Sequence, residues 1–141
     1  MGTKYAVLTS SGTSAIFLCL KALGIGLHYS VLVPSLTAFP TVEPIFHVGA
    51  RHVFGDIDDT FCMNVRSADA SAVIAVHLYG HPANMDGVKK LGCKFIIEDC
   101  CQAHGATYRG KRVGSIGIAG CFSFYPSKNL TVLGDGGMIT T

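Results

Sequence analysis

Short apolar runs that read as strands recur along this chain, and stretches with helical spacing lie between them. That alternation is the tightest constraint on the fold, because strands separated by helices build a layered α/β domain. Val31-Leu32-Val33, ended by Pro34, is one such run. Arg51 to Ile57, Ala72 to His77 and Cys93 to Glu98 follow, with Cys121 to Tyr125 and Met138 to Thr141 nearer the end. Val73, Ile74 and Val76 leave almost no polar break, as expected of a strand covered on both faces. Helices are expected over Thr13 to Leu23, over Phe39 to Val48 and over Pro82 to Leu91, each followed by a glycine that stops it.

Composition supports one globular domain. With 49% apolar and 14% charged residues, the 141-residue chain is too hydrophobic for disorder. The net charge is +2, and Lys89-Lys90 and Lys111-Arg112 are the only adjacent basic pairs, so no basic stripe points to nucleic acid. No apolar run is long enough to span a membrane. Met1 to Tyr5 lacks the layout of a signal peptide, which gives a cytoplasmic expectation. The six cysteines form no C-x-x-C pair, and Cys100-Cys101 reads as two ordinary reduced residues. The chain opens almost directly at a helix and stops inside an apolar strand with nothing after it to cover that strand. A truncated chain is therefore expected.

Three local features suggest chemistry, each with a plainer reading beside it. Asp99 ends the run Phe95-Ile96-Ile97-Glu98, and ligands of open α/β sheets gather beyond strand carboxyl ends. Taken alone it is more often a cap for the next helix or a polar strand end. Gly12-Thr13-Ser14-Ala15 opens a helix, where free N–H groups and hydroxyls make an anion site or simply a cap. Lys128 lies in the loop Ser123-Phe124-Tyr125-Pro126-Ser127-Lys128, where desolvation would leave a neutral, nucleophilic amine. Alone it reads as an exposed loop lysine. Together, an anion cradle, a strand-end carboxylate and a loop lysine are the parts a pyridoxal phosphate site needs. At about 4 Å and an effective dielectric near 20, a carboxylate–pyridinium pair gains roughly 4 kcal/mol before desolvation. His77 and His81 are not read as a metal pair. Gly80 and Pro82 break any helix that would align them, and no third ligand is suitably spaced.

Five stretches, in order, resemble the DegT/DnrJ/StrS-type sugar aminotransferases: SSGTSA (Ser10 to Ala15), VPSLTAFPT (Val33 to Thr41), VHLYGHPANMD (Val76 to Asp86), IEDCCQAHGATYRGKRVGS (Ile97 to Ser115) and GCFSFYPSKNLTVLGDGGMITT (Gly120 to Thr141). The resemblance implies a three-layer α/β/α sandwich, the large domain of a pyridoxal-phosphate-dependent transferase, here incomplete. The N-terminal segment, the rest of that domain and a C-terminal small domain would be missing. Lys128 would hold pyridoxal 5'-phosphate as a Schiff base and shuttle the proton. Asp99 would pair with the ring nitrogen, Gln102 would bond near the 3-hydroxyl, and Thr13, Ser14 and Ser123 would bind the phosphate. The implied reaction passes nitrogen from glutamate or glutamine to a keto sugar, usually nucleotide-linked, within a homodimer.

Related sugar dehydratases carry histidine in place of the lysine, so Lys128 argues for transfer; a non-catalytic protein of the same fold is the other reading. Two positions depart from the pattern. Ala38 stands where the family stacks an aromatic on the ring, which leaves Phe39 to take over, or His77 or Tyr79 to help, or a ring held less firmly. Asp135 stands where the family has Glu, before Gly136-Gly137.

Overall fold

The computed structural model describes residues 1–66 and 69–141. In chain order the elements are β1 (Ala6–Thr9), α1 (Gly12–Ala22), β2 (Ser30–Pro34), α2 (Phe39–His47), β3 (Arg51–Gly55) and β4 (Ala72–Val76). A 3₁₀ turn (Leu78–Gly80) leads to α3 (Met85–Lys90) and β5 (Phe95–Asp99). The short pair β6 (Thr107–Tyr108) and β7 (Lys111–Arg112) precedes β8 (Ala119–Ser123) and β9 (Gly137–Thr140). Seven strands form one sheet in the order β1-β9-β8-β5-β4-β2-β3. β3, β2, β4, β5 and β8 run parallel, and β9 lies antiparallel between β8 and β1.

Period-two geometry explains why the central strands carry apolar residues continuously, since successive side chains leave by opposite faces. Val31, Val33, Ala72, Ile74 and Val76 pack with Ala15, Ile16, Cys19 and Leu20 of α1 and Val42 and Ile45 of α2. Leu32, Val73 and Ala75 face the other way, onto Met63, Met85 and Val88. Cys100, Ala103, Val113 and Phe122 form a third cluster. The expected three-layer α/β/α sandwich is therefore present, with α1 and α2 on one face and α3 with irregular chain on the other.

Three expectations change. The chain does not open at a helix: Ala6–Thr9 is a strand. It pairs with β9, so β9 is flanked on both sides rather than left uncovered. The helix expected from Pro82 begins only at Met85, because Asn84 caps it by accepting from the Gly87 N–H at 3.0 Å. β8 starts and ends two residues before the expected span and closes at Ser123, opposite Gly137.

Candidate cofactor site

The strand order reverses direction at β2, with β3 on one side and β4 on the other, and open sheets bind ligands beside such a switch. The segments leaving β1, β2, β4, β5 and β8 line one cavity of about 350 Å³ there. Its walls include Gly12, Thr13, Ala38, Thr41, His77, Asp99, Cys101, Gln102, Ser123, Lys128 and Asp135. Lys128 and Asp99, far apart in sequence, thus face the same space.

Asp99 ends β5 and is 5% exposed. Its Oδ2 accepts from the Thr41 hydroxyl at 2.8 Å, and its Oδ1 accepts from the Cys101 N–H at 3.0 Å. Gln102 is held by its Oε1, which accepts from the Tyr79 N–H at 2.8 Å, so its amide N–H groups remain to donate. Tyr79 reaches that contact with φ of 55°, in the left-handed region. Burial, then the Asp99 charge, pushes the Cys101 thiol well above its usual range, so it sits in the cavity wall as a neutral thiol.

The start of α1, which also lines the cavity, can receive an anion. Ser11 caps α1, its Oγ accepting from the Ser14 N–H at 3.0 Å. Gly12 and Thr13 have no intrahelical acceptor for their N–H groups. Gly12 must be glycine because a Cβ there would lie 2.7 Å from Ser123 Cβ and 2.8 Å from Cys101 Sγ. The first turn of α1 therefore presses directly on the ends of β8 and β5. Ser123 is 6% exposed, with its carbonyl accepting from His104 Nε2 at 2.8 Å. That bond fixes the tautomer and leaves His104 Nδ1 buried with no partner. Burial pushes this imidazole below its ordinary value. Lys128 is half-buried, closes a turn by donating its N–H to the Tyr125 carbonyl at 2.8 Å, and makes no salt bridge among the described residues.

Not every expected residue arrives. Ser14 lies outside the cavity and lines the neighbouring groove between α1 and α2 with Phe17 and His47. Its N–H is spent on the cap, and its hydroxyl bonds to Ser10 and Ser11. Phe39 is 66% exposed and absent from the cavity wall, so it neither reaches a ring there nor packs the core. Ala38 lines the cavity instead. Tyr79 turns its ring outward onto Phe61, edge to face at 6.3 Å. His77 lines the wall, but its Nδ1 accepts from the Ala83 N–H at 2.9 Å and its Nε2 donates to Glu98 Oε2 at 3.0 Å.

Glu98, fully buried, was not singled out by the sequence. It also accepts from the N–H groups of Gly114, Ile116 and Gly117 at 2.7–2.8 Å. Cys100 lies close enough to complete a His77–Glu98–Cys100 triad, a grouping that does not include His81. Every imidazole and carboxylate lone pair in it is already engaged, and burial holds the Cys100 thiol protonated, so the triad does not suit a metal.

A cavity lined by a carboxylate, by the N–H groups and hydroxyl at a helix start, and by an amine fits pyridoxal phosphate. All of residues 1–141 match the DegT/DnrJ/EryC1/StrS aminotransferase family. The chain belongs to that family. A UDP-N-acetyl-3-dehydro-alpha-D-glucosamine 3-aminotransferase of Acidithiobacillus ferrooxidans is 47% identical over 99% of this chain and 41% of its own length. An aminotransferase from Psychrobacter cryohalolentis superposes with a TM-score of 0.93 at 40% identity, over 99% of this chain and 38% of that one. The family fold also carries other chemistry. GDP-4-keto-6-deoxymannose-3-dehydratase, solved with a trapped PLP-glutamate geminal diamine, gives 0.92 at 32% identity over 99% of this chain and 40% of that one. The chain thus spans about two-fifths of the relatives it matches.

Proposed function

We propose that the protein transfers an amino group from glutamate or glutamine to a keto sugar, with pyridoxal phosphate held in the cavity at Lys128. The observation that carries this reading is the convergence of Lys128, Asp99 and the Gly12–Thr13 start of α1 on one cavity. When bound, the cofactor supplies an electron sink for the pair released at the substrate carbon. Lys128 Nζ provides the amine that holds the cofactor. The same amine would serve as the general base for the proton on the substrate carbon and as the acid that returns it. Asp99 holds the proton on the ring nitrogen. Gln102 orients the ring through its free amide N–H groups. Thr13 and Ser123 fix the phosphate.

A nucleotide-linked sugar is the favoured acceptor, in keeping with the UDP-linked compound in the name of the 47% relative. A lysine rather than a histidine at position 128 favours transfer over dehydration. We take the enzyme to act in the cytoplasm as a homodimer, as the family resemblance implies. No helix of the described residues is long and apolar enough to cross a membrane.

Borohydride reduction of the full gene product loaded with pyridoxal phosphate, followed by peptide mass analysis, tests the assignment. The reduced cofactor should be found on Lys128, and Lys128→Ala should abolish both the label and turnover. Label on another lysine, or turnover surviving Lys128→Ala, would sink it. Amine rather than deoxygenated product from a keto sugar separates transfer from dehydration.

A further inference from the structure

We propose that Thr41 is a positioning residue for the Asp99 carboxylate, with Thr37 setting the direction of the Thr41 hydroxyl proton. The inference rests on the cofactor reading above and gives a role to two hydroxyls that reading does not use.

Thr41 is 2% exposed and lies in the first turn of α2, just beyond Pro40. Its Oγ1 is 2.8 Å from Asp99 Oδ2 and 2.8 Å from Thr37 Oγ1. An ionised carboxylate only accepts, so the single proton of Thr41 must point at Asp99. Thr41 Oγ1 is then an acceptor on its other side, and Thr37 must donate to it. The result is a one-way chain of hydroxyls that ends on the carboxylate.

The second donor to Asp99 is different in kind. The Cys101 N–H is two residues on, in the same loop, and moves with that loop. Thr41 reaches Asp99 from another element, the helix after β2, past the end of β4. Among the described residues it is the one hydrogen bond that ties the Asp99 side chain to the α2 side of the cavity. The terminal torsion of an aspartate is soft, with broad wells. A donor anchored on a helix and a donor anchored on the local loop, one per oxygen, fix the plane in which the carboxylate meets the ring nitrogen. Thr37, Thr41 and Asp99 all line the cavity, so the chain stands at the site. The plainer alternative is a buried hydroxyl that takes the nearest acceptor for its own sake. It predicts an effect on folding and none on the cofactor.

The test titrates pyridoxal phosphate into the cofactor-free full gene product, followed by visible absorbance at several pH values. Thr41→Val should weaken cofactor affinity about tenfold, as loss of one hydrogen bond to a charged group predicts. It should also move the pH midpoint of the bound cofactor's visible band. Thr41→Ser keeps the hydroxyl and should restore both. Thr37→Val, at a half-buried position that tolerates change, should lose about threefold in the same direction if its bond is worth a typical neutral one. Wild-type affinity and midpoint in both valine variants would overturn the proposal, as would equal losses in Thr41→Val and Thr41→Ser. Asp99→Asn and Lys128→Ala run alongside. If these also leave affinity and spectrum unchanged, the cofactor reading itself fails; if they lose binding and the threonine variants do not, only the role of Thr41 falls.

Discussion

Ala38 leaves a gap in the cavity wall at a point where a ring would gain from a flat partner. Phe39 and Tyr79 point elsewhere, and among the described residues only His77 and Tyr125 bring aromatic rings to the lining. On the proposed reading, the grip on the cofactor would fall to Lys128 and to the ring's edges, at Asp99, Gln102, Ser123 and the start of α1. Ala38→Phe should tighten pyridoxal phosphate binding about three- to tenfold, the range that aromatic pairing supplies. Unchanged or weaker binding by absorbance titration would show that the ring does not pass that wall. Glu98 makes a prediction about stability. Burial pushes its carboxyl up, but the His77 bond and the Gly114 and Gly117 N–H groups outweigh this and hold it below the ordinary glutamate value. A depressed carboxyl stabilises the fold above its unfolded pKa of about 4.3, and that contribution fades as pH falls through the lower folded value. Glu98→Gln should cost about 3 kcal/mol at neutral pH, since it sets amide donors against backbone donors. Its melting temperature should then fall less steeply than that of the wild type on acidification below that pH. Parallel melting curves across pH for the two proteins would refute this.

At the scale of elements, close approaches between backbones seat α1 on the sheet. A Cβ on Gly137 would lie 2.2 Å from the Ser11 carbonyl oxygen, so β9 touches the turn that leads into α1. Gly137→Ala should cost about 1–3 kcal/mol and loosen the anion end of the cavity, with weaker cofactor binding as the second readout. Gly26→Ala is the control. Its Cβ would meet only the Val48 carbonyl, at 3.5 Å, and the change should stay within about 0.5 kcal/mol by chemical denaturation. β2, β4 and β5 were legible because burial on both faces writes an unbroken apolar run. β1 was not, since four residues whose partner lies at Gly137–Thr140 carry little local signal. The β6–β7 pair is two residues a side, turned by Arg109 and Gly110 with φ of 48° and 80°. The site divided in the same way. Asp99, Gln102, Ser123 and Lys128 sit in two distinctive motifs and were legible through resemblance. Thr41 stands 58 residues from Asp99, and only the strand order brings the two together. Ser14 stands apart from the cavity because the Ser11 cap takes its N–H, a contact the sequence does not show.

For the whole molecule, the open question is how much activity these residues hold alone. Relatives are far longer, and Leu8, Leu133 and Val7 lie exposed here. Produced alone, residues 1–141 are expected to show no measurable transfer; turnover comparable to that of the full gene product would mean the cavity is sufficient as it stands. The placement of β9 has a consequence in time. Ala6 pairs with Thr140, so β1 must wait during synthesis for a strand that follows it by more than a hundred residues. Until then its hydrogen-bonding edge is open to wrong partners, and such distant pairings form slowly. The nascent chain should depend on holdase chaperones until β9 emerges, and the lysine loop just before it should settle only then.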